Sequence, residues 1–178
     1  MNKLIEAFAY NTSPIGPLGD HNARKLEEEQ WLNSLTSDDG LVLLAWIQQP
    51  TPLPGWNSLT EGQIAELCDI AAYYVGTVGQ RTGDDRLRFA LEGLLTDSRT
   101  RVSALEGLRA LGNPVVVSAI SAYVDNADPQ LARQIASVLG EIGGNEAITV
   151  LHGMYDRWKD DLVVQGTIED ALQEAKRG

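Results

Sequence analysis

Cysteine, histidine and lysine are scarce in this chain, and their scarcity limits the chemistry that it can perform. The 178 residues include one cysteine, two histidines and four lysines. A single cysteine, Cys68, excludes an intrachain disulfide and any zinc site built from several cysteines. Neither His21 nor His152 has an obvious partner in the sequence for acid-base catalysis. The sequence therefore offers no candidate catalytic residue.

Motifs that carry catalysis or cofactor binding are also missing. The chain has no G-x-S-x-G, no H-E-x-x-H, no G-x-G-x-x-G and no P-loop. His152 and Asp156 stand four residues apart, so on a helix they can bind a metal, share a proton, or simply face solvent. We take them as surface residues, place Cys68 on a buried helical stripe as an inert thiol, and expect no cofactor and no metal.

Positive charge is in deficit throughout the chain. Lysine and arginine total 14 against 25 aspartates and glutamates, which gives a formal net charge of −11. A basic footprint for nucleic acid is therefore missing. The acidic residues are spread along the chain, and they either keep the protein soluble or steer it toward a basic partner. Both interpretations stay open at this point.

Long hydrophobic runs are absent as well. No apolar stretch approaches the roughly 20 residues that span a bilayer, and the first ten residues, MNKLIEAFAY, lack the features of a signal peptide. We therefore expect a cytoplasmic protein that does not bind membranes.

Proline divides the chain into two parts. Pro50, Pro52 and Pro54 precede Gly55 and Trp56, and this run predicts a stiff, extended connector. Residues 1–57 are thus predicted to form an N-terminal helical cap that ends in the connector, and residues 58–178 to form the main body. Within the cap, helices are predicted at 4–10, 22–35 and 41–47, with a turn at 38–40.

The main body contains an internal repeat between residues 101 and 156. Four anchor positions recur 31 residues later: Leu108 with Leu139, Gly112 with Gly143, Ile120 with Leu151, and Asp125 with Asp156. A fixed period of this size with helical spacing inside each unit is typical of stacked repeats. The helices of the body are predicted at about 58–60 to 76–79, 84–95, 97–111, 114–124, 128–142, 145–157 and 160–175.

Local signals agree with paired helices. Gly112 and Gly143 stand where a first helix should stop, while Pro114 and Pro129 stand just inside helix starts. The segment 128–143, followed by 146–148 and Leu151, resembles HEAT repeats, in particular the short HEAT-like repeats named after the phycobilisome lyases. The resemblance covers about residues 60–178. It implies an all-α fold: a short HEAT-like α-solenoid of antiparallel helix pairs with an N-terminal helical cap.

In HEAT-like arrays the second helix of each pair usually lines the concave face. The resemblance therefore implies that outward positions of these helices bind the partner. Stacking by the 31-residue period, and by 29 residues for the earlier pair, predicts a surface that we name the second-helix ridge: Phe89, Glu92, Ser118, Ser121, Asp125, Thr149, His152, Asp156, Arg157 and Trp158.

These observations predict a non-enzymatic protein-protein interaction module that binds another protein through the second-helix ridge, and a basic protein is one candidate partner. An adaptor, an assembly factor or an inhibitor such as an immunity protein all fit this description. The alternative, which rests on the repeat resemblance alone, is a bilin-lyase-like subunit acting on a phycobiliprotein. A homodimer through the unpaired C-terminal helix, residues 160–175, is a further possibility.

Overall fold

The computed structural model describes residues 3–12, 21–51 and 59–177, and these residues form an all-α fold. No strand occurs among them, as the sequence predicts. The described residues contain ten α-helices: α1 (Lys3–Thr12), α2 (His21–Ser34), α3 (Ser37–Gln48), α4 (Glu61–Thr82), α5 (Asp85–Leu94), α6 (Arg101–Leu111), α7 (Val117–Ser121), α8 (Pro129–Ile142), α9 (Gly144–Arg157) and α10 (Leu162–Ala175).

The helices of the main body form two layers. The first helices of the pairs, α4, α6, α8 and α10, pack side by side in chain order, while α5, α7 and α9 follow them as second helices, with α7 packing on α9. Each second helix packs against a first helix, and the apolar stripes meet in one hydrophobic core that extends from Ile5 to Ala175. This arrangement is the predicted solenoid of antiparallel helix pairs.

Glycines end the first helices of the repeat, as predicted. Gly112 caps α6 in the left-handed region, with φ 62°. Gly143 also has a positive φ, 70°, and it serves both as the last cap of α8 and as the first cap of α9. Both positions suit glycine because a side chain there strains the backbone. Pro129 opens α8 after the cap Asp128, whose carboxylate accepts a hydrogen bond from the Leu131 N–H at 2.8 Å.

The prediction that α4 ends near residues 76–79 is wrong. The helix continues to Thr82 and stops at Gly83, with φ 67°. Gly76 lies inside α4, and this position requires glycine because a Cβ there would stand only 2.0 Å from the Gly107 carbonyl oxygen of α6. A similar contact joins α8 and α10, where a Cβ on Gly140 would stand 2.8 Å from the Ala171 Cα. Glycine here permits close helix packing rather than a helix stop.

Residues 114–124 do not form the predicted continuous helix. A 3-10 turn at Pro114–Val116 leads into the five-residue α7, and a second 3-10 turn follows at Val124–Asn126. Asn113 caps the first turn by accepting a hydrogen bond from the Val115 N–H at 3.1 Å. Proline and three successive valines favour this broken geometry, because β-branched residues lower the stability of a helix.

Residues 38–40 are helical, so the predicted turn is also wrong. Thr36 caps α3 and forms a capping box with Asp39: the Asp39 N–H donates to Thr36 Oγ1 at 3.3 Å, and the Thr36 N–H donates to Asp39 Oδ2 at 2.8 Å. Two aspartates in the first turn also stabilise α3, because negative charge interacts favourably with the helix dipole there.

Helix α6 begins later than predicted, at Arg101, because Asp97 binds the Arg99 guanidinium and backbone N–H in the preceding turn.

The N-terminal helices pack onto α4, the first helix of the solenoid, through aromatic side chains. The Phe8 ring centroid lies 5.6 Å from that of Trp46 and 5.9 Å from that of Tyr74, and the Trp31 ring lies 5.7 Å from the Tyr74 ring. The Arg81 guanidinium donates to the Leu35 carbonyl at 2.5 Å. Helices α1, α2 and α3 therefore share the core of α4.

The predicted connector falls largely outside the described residues. Pro52, Pro54, Gly55 and Trp56 lie in the range 52–58, which the structure does not describe. The division into a cap at 1–57 and a body at 58–178 therefore stays a prediction. Helix α4 begins with Thr60 as its cap, where the Gln63 N–H donates to Thr60 Oγ1.

Candidate partner-binding site

The second-helix ridge is distributed over four elements. Phe89 and Glu92 lie on α5, Ser118 and Ser121 on α7, and Asp125 on the following 3-10 turn. The remaining members lie on or directly after α9: Thr149, His152, Asp156, Arg157 and Trp158.

Two members of the ridge, Asp125 and Arg157, are in contact, although the repeat aligns Asp125 with Asp156. The Arg157 guanidinium binds the Asp125 carboxylate at 2.7 Å and also donates to the Asp125 carbonyl. This ion pair joins the 3-10 turn after α7 to the end of α9. The Asp125 side chain is 84% exposed, so the pair contributes little to stability.

Two hydroxyl groups of the ridge donate hydrogen bonds to carbonyl groups of their own helices. Ser121 Oγ donates to the Ser118 carbonyl at 2.8 Å, and Thr149 Oγ1 donates to the Asn145 carbonyl at 2.8 Å. His152 and Asp156 are exposed. These side chains form a polar surface.

At the α5 end of the ridge, Phe89 and Glu92 both contact Arg88. Phe89 is 59% exposed, but the guanidinium carbon of Arg88 lies 3.9 Å from its ring centroid. Arg88 also binds the Glu92 carboxylate at 2.9 Å. At the other end, Trp158 packs against the core, and its buried indole N–H has no hydrogen-bond partner among the described residues.

A deeper surface lies on the opposite layer, along the first helices. It consists of two adjoining depressions that share Glu106 and Arg109, and we name it the first-helix groove. The Asp69 depression has a volume of about 490 Å³ and is lined by Glu28, Asp69, Ile70, Tyr73, Tyr74, Glu106 and Arg109. The second depression, about 460 Å³, is lined by Glu106, Arg109, Gln130, Arg133, Gln134, Ser137, Val138, Glu141 and Thr167.

An ion network marks the junction of the two depressions. The Arg109 guanidinium binds Glu106 at 2.7 Å within α6 and Glu141 of α8 at 2.9 Å. Hydrogen bonds to Glu141 and Glu106 raise the pKa of Arg109. The network joins α6 to α8 across the floor of the groove.

The Asp69 depression has a different electrostatic character. Ser103 Oγ donates to the Asp69 carboxylate at 2.6 Å, and Tyr74 Oη donates to the Glu28 carboxylate. Burial raises the pKa of Asp69, the bond from Ser103 opposes that rise, and the Glu106 carboxylate adds to it. Burial and the hydrogen bond to Glu28 also raise the pKa of Tyr74. Both carboxylates thus accept hydrogen bonds from neutral hydroxyl groups.

A third depression, about 430 Å³, includes Ile47, Pro50, Cys68, Arg99 and Ser103 among its lining residues. Its rim ends at residues that border the range 52–58, which the structure does not describe. Burial, assisted by the neighbouring Asp69 carboxylate, raises the pKa of Cys68 to about 11. The thiol is therefore protonated at neutral pH, and the prediction of an inert buried cysteine agrees with its environment.

Within residues 3–12, 21–51 and 59–177, no three potential histidine, cysteine or carboxylate ligands gather where a metal ion could be held. Every helix in the same ranges is too short or too polar to cross a bilayer.

The sequence prediction did not include the first-helix groove. Its residues stand on α2, α4, α6, α8 and α10, so they are far apart in the chain. Glu28 and Tyr74, for example, are 46 residues apart. One available signal was Arg109, whose Glu106 and Glu141 partners lie three and 32 residues away, near the repeat period.

Stacked antiparallel helix pairs define the chain as a helical-repeat protein. The family model for HEAT repeats matches residues 87–173. Residues 87–173 are thus HEAT-like repeats, and the predicted resemblance is confirmed for this segment. Its likeness to the phycobilisome-lyase type stays a prediction. Neither a curated protein nor a solved structure matches the chain.

Proposed function

We propose that this chain is a protein-binding module without catalytic activity, and that its partner is a basic protein. HEAT repeats commonly mediate protein-protein interaction. The observation that carries the proposal is the first-helix groove, because two adjoining depressions on five helices offer an extended surface. An adaptor, an assembly factor and an inhibitor all act in this way, and the identity of the partner decides among them.

The preference for a basic partner follows from charge. Four carboxylates line the groove, from Glu28, Asp69, Glu106 and Glu141, against two guanidinium groups, from Arg109 and Arg133. Arg109 is already bound to two of these carboxylates. A formal net charge of −11 adds long-range attraction for a positively charged protein.

The second-helix ridge is the rival surface, and two variants of equal charge separate the two. Tyr73→Arg/Ser137→Arg adds two positive charges to the groove, and Ser118→Arg/His152→Arg adds two to the ridge; all four side chains are exposed. Each variant and the unmodified protein would capture partners from native host lysate, with circular dichroism to check folding. Captured proteins would be identified by mass spectrometry.

The proposal expects one basic protein that the unmodified chain and the ridge variant retain, that the groove variant loses, and that high salt releases. The opposite pattern would assign binding to the ridge. If no protein is specifically captured, the chain is not a protein-binding module under these conditions and the proposal fails. The homodimer through α10, where Leu162 is 82% exposed, would instead appear as a doubled mass in light scattering.

A further inference from the structure

We infer that the Asp69 depression receives an arginine side chain of the partner. The inference rests on the proposed protein-binding function and names the chemistry of one contact within it. Three features of the depression together carry the inference: its carboxylates, its exposed aromatic wall and its size.

Hydroxyl groups position the carboxylates of Asp69 and Glu28, and no positively charged side chain that the structure describes forms an ion pair with either of them. Ser103 and Tyr74, whose hydroxyls hold them, are both buried and uncharged. Arg109 is the one positively charged residue among the described lining residues, and its guanidinium is bound to Glu106 and Glu141. A partly buried carboxylate without a cation is costly, and an incoming cation removes that cost.

The wall of the depression suits a planar cation. Tyr73 is 41% exposed, and the Arg109 guanidinium lies 6.0 Å from its ring centroid, at the limit of a cation-π contact. An arginine from the partner can therefore stack on the Tyr73 ring while its N–H groups reach a carboxylate. Ile70 supplies apolar surface for the methylene groups of that side chain.

Arginine fits this site better than lysine does. A guanidinium group donates five hydrogen bonds in a fixed plane, so it can bind a carboxylate with two parallel bonds and stack on a ring at once. An ammonium group is a point charge that is strongly hydrated. A volume of about 490 Å³ falls within the range of ordinary ligand sites, so a long side chain can enter it.

The test uses fluorescein-labelled peptides in which three arginines alternate with glycines. Matched peptides carry lysine, with equal charge, or citrulline, with similar shape and no charge. Binding to the whole chain is measured by fluorescence anisotropy at physiological salt. Amide chemical shifts locate the bound arginine peptide.

We expect the arginine peptide to bind more tightly than the lysine peptide, and the citrulline peptide to bind least. Asp69→Asn keeps the acceptor for Ser103 but removes the charge, and we expect it to weaken arginine binding by about tenfold or more. Asp156→Asn removes an equal charge from the ridge and should change binding less than about twofold. Shifts should centre on residues 69–73 and 106–109.

Equal effects of Asp69→Asn and Asp156→Asn, or equal binding of the arginine and lysine peptides, would overturn the inference, because general charge attraction would then explain the result. Lysate capture separates this failure from a failure of the proposed function. If Asp69→Asn still retains the basic partner, the protein-binding function stands and the arginine site is wrong. If the arginine peptide binds as expected but no partner is captured, the site stands and the proposed function is wrong.

Discussion

Gly76→Ala should destabilise the solenoid, although alanine is normally the better helix residue. The added Cβ would lie 2.0 Å from the Gly107 carbonyl oxygen and 2.9 Å from the Ala110 Cβ. Ordinary van der Waals contact begins at 3.4 Å, so α4 and α6 must separate by more than 1 Å. The nearest atom belongs to the backbone, and no rotamer change of a side chain can relieve the contact.

Overpacking of a core destabilises a protein by about 3 kcal/mol at the upper end of the usual range, and replacing glycine by alanine in a helix stabilises it by about 1 kcal/mol. The net loss is then about 2 kcal/mol, which lowers Tm by about 4–8 °C in a domain of this size. Gly153→Ala is the matched control: it lies in α9, with no neighbouring atom within 4 Å of an added Cβ. It should raise Tm by about 2–4 °C.

Thermal unfolding followed by far-ultraviolet circular dichroism measures both changes. If Gly76→Ala unfolds at the same temperature as the unmodified protein, or above it, α4 and α6 do not meet at backbone distance and the packing argument is refuted. A loss of stability in both variants would show that glycine acts through the helix backbone rather than through the contact.

Three further predictions concern single side chains. Asp128→Ala removes the cap that accepts from the Leu131 N–H, so it should cost about 1 kcal/mol in urea unfolding, whereas Asp160→Ala at an exposed turn position should cost less than about 0.5 kcal/mol. Cys68 should resist thiol reagents at pH 8 until urea unfolds the chain, because its pKa is about 11; rapid labelling of the folded protein would contradict this. Asp69→Asn should stabilise the fold at pH 7 and leave it unchanged at pH 3. Because folding raises the pKa of Asp69 above its ordinary value of 3.8, ionisation of this carboxyl destabilises the fold as pH rises from 3.8 through the folded pKa. A difference in stability between the variant and the unmodified protein that does not change with pH would contradict the argument.

The repeat architecture was predictable because it depends on local signals that recur. Leu108, Gly112 and Pro114 carry spacing and helix-end information within a few residues, and the structure confirms their roles. The end of α4 was predicted too early, near Gly76, because glycine occurs both at helix ends and at close contacts between helices. Only the position of Gly107 on the neighbouring helix distinguishes them.

The candidate groove was harder to predict because it depends on distant residues. The HEAT resemblance implied a surface on the second helices, and the period of 31 aligned Asp125 with Asp156, whereas the residue that binds Asp125 is the neighbouring Arg157. No period links Glu28 to Tyr74 or Asp69 to Ser103, because α2 lies outside the repeat and α4 precedes its regular part. Such pairs are determined by tertiary packing, which local spacing does not record.

The double role of Gly143 has a consequence for how such an array can change in length. One residue caps both α8 and α9, and its φ of 70° and ψ of −167° determine how the second helix leaves the first. An inserted residue there would displace the whole of α9. The connection from Ala122 to Asp128, by contrast, is seven residues long and mostly exposed. Additional repeats or inserted segments are therefore best accommodated between helix pairs, where added chain can extend into solvent.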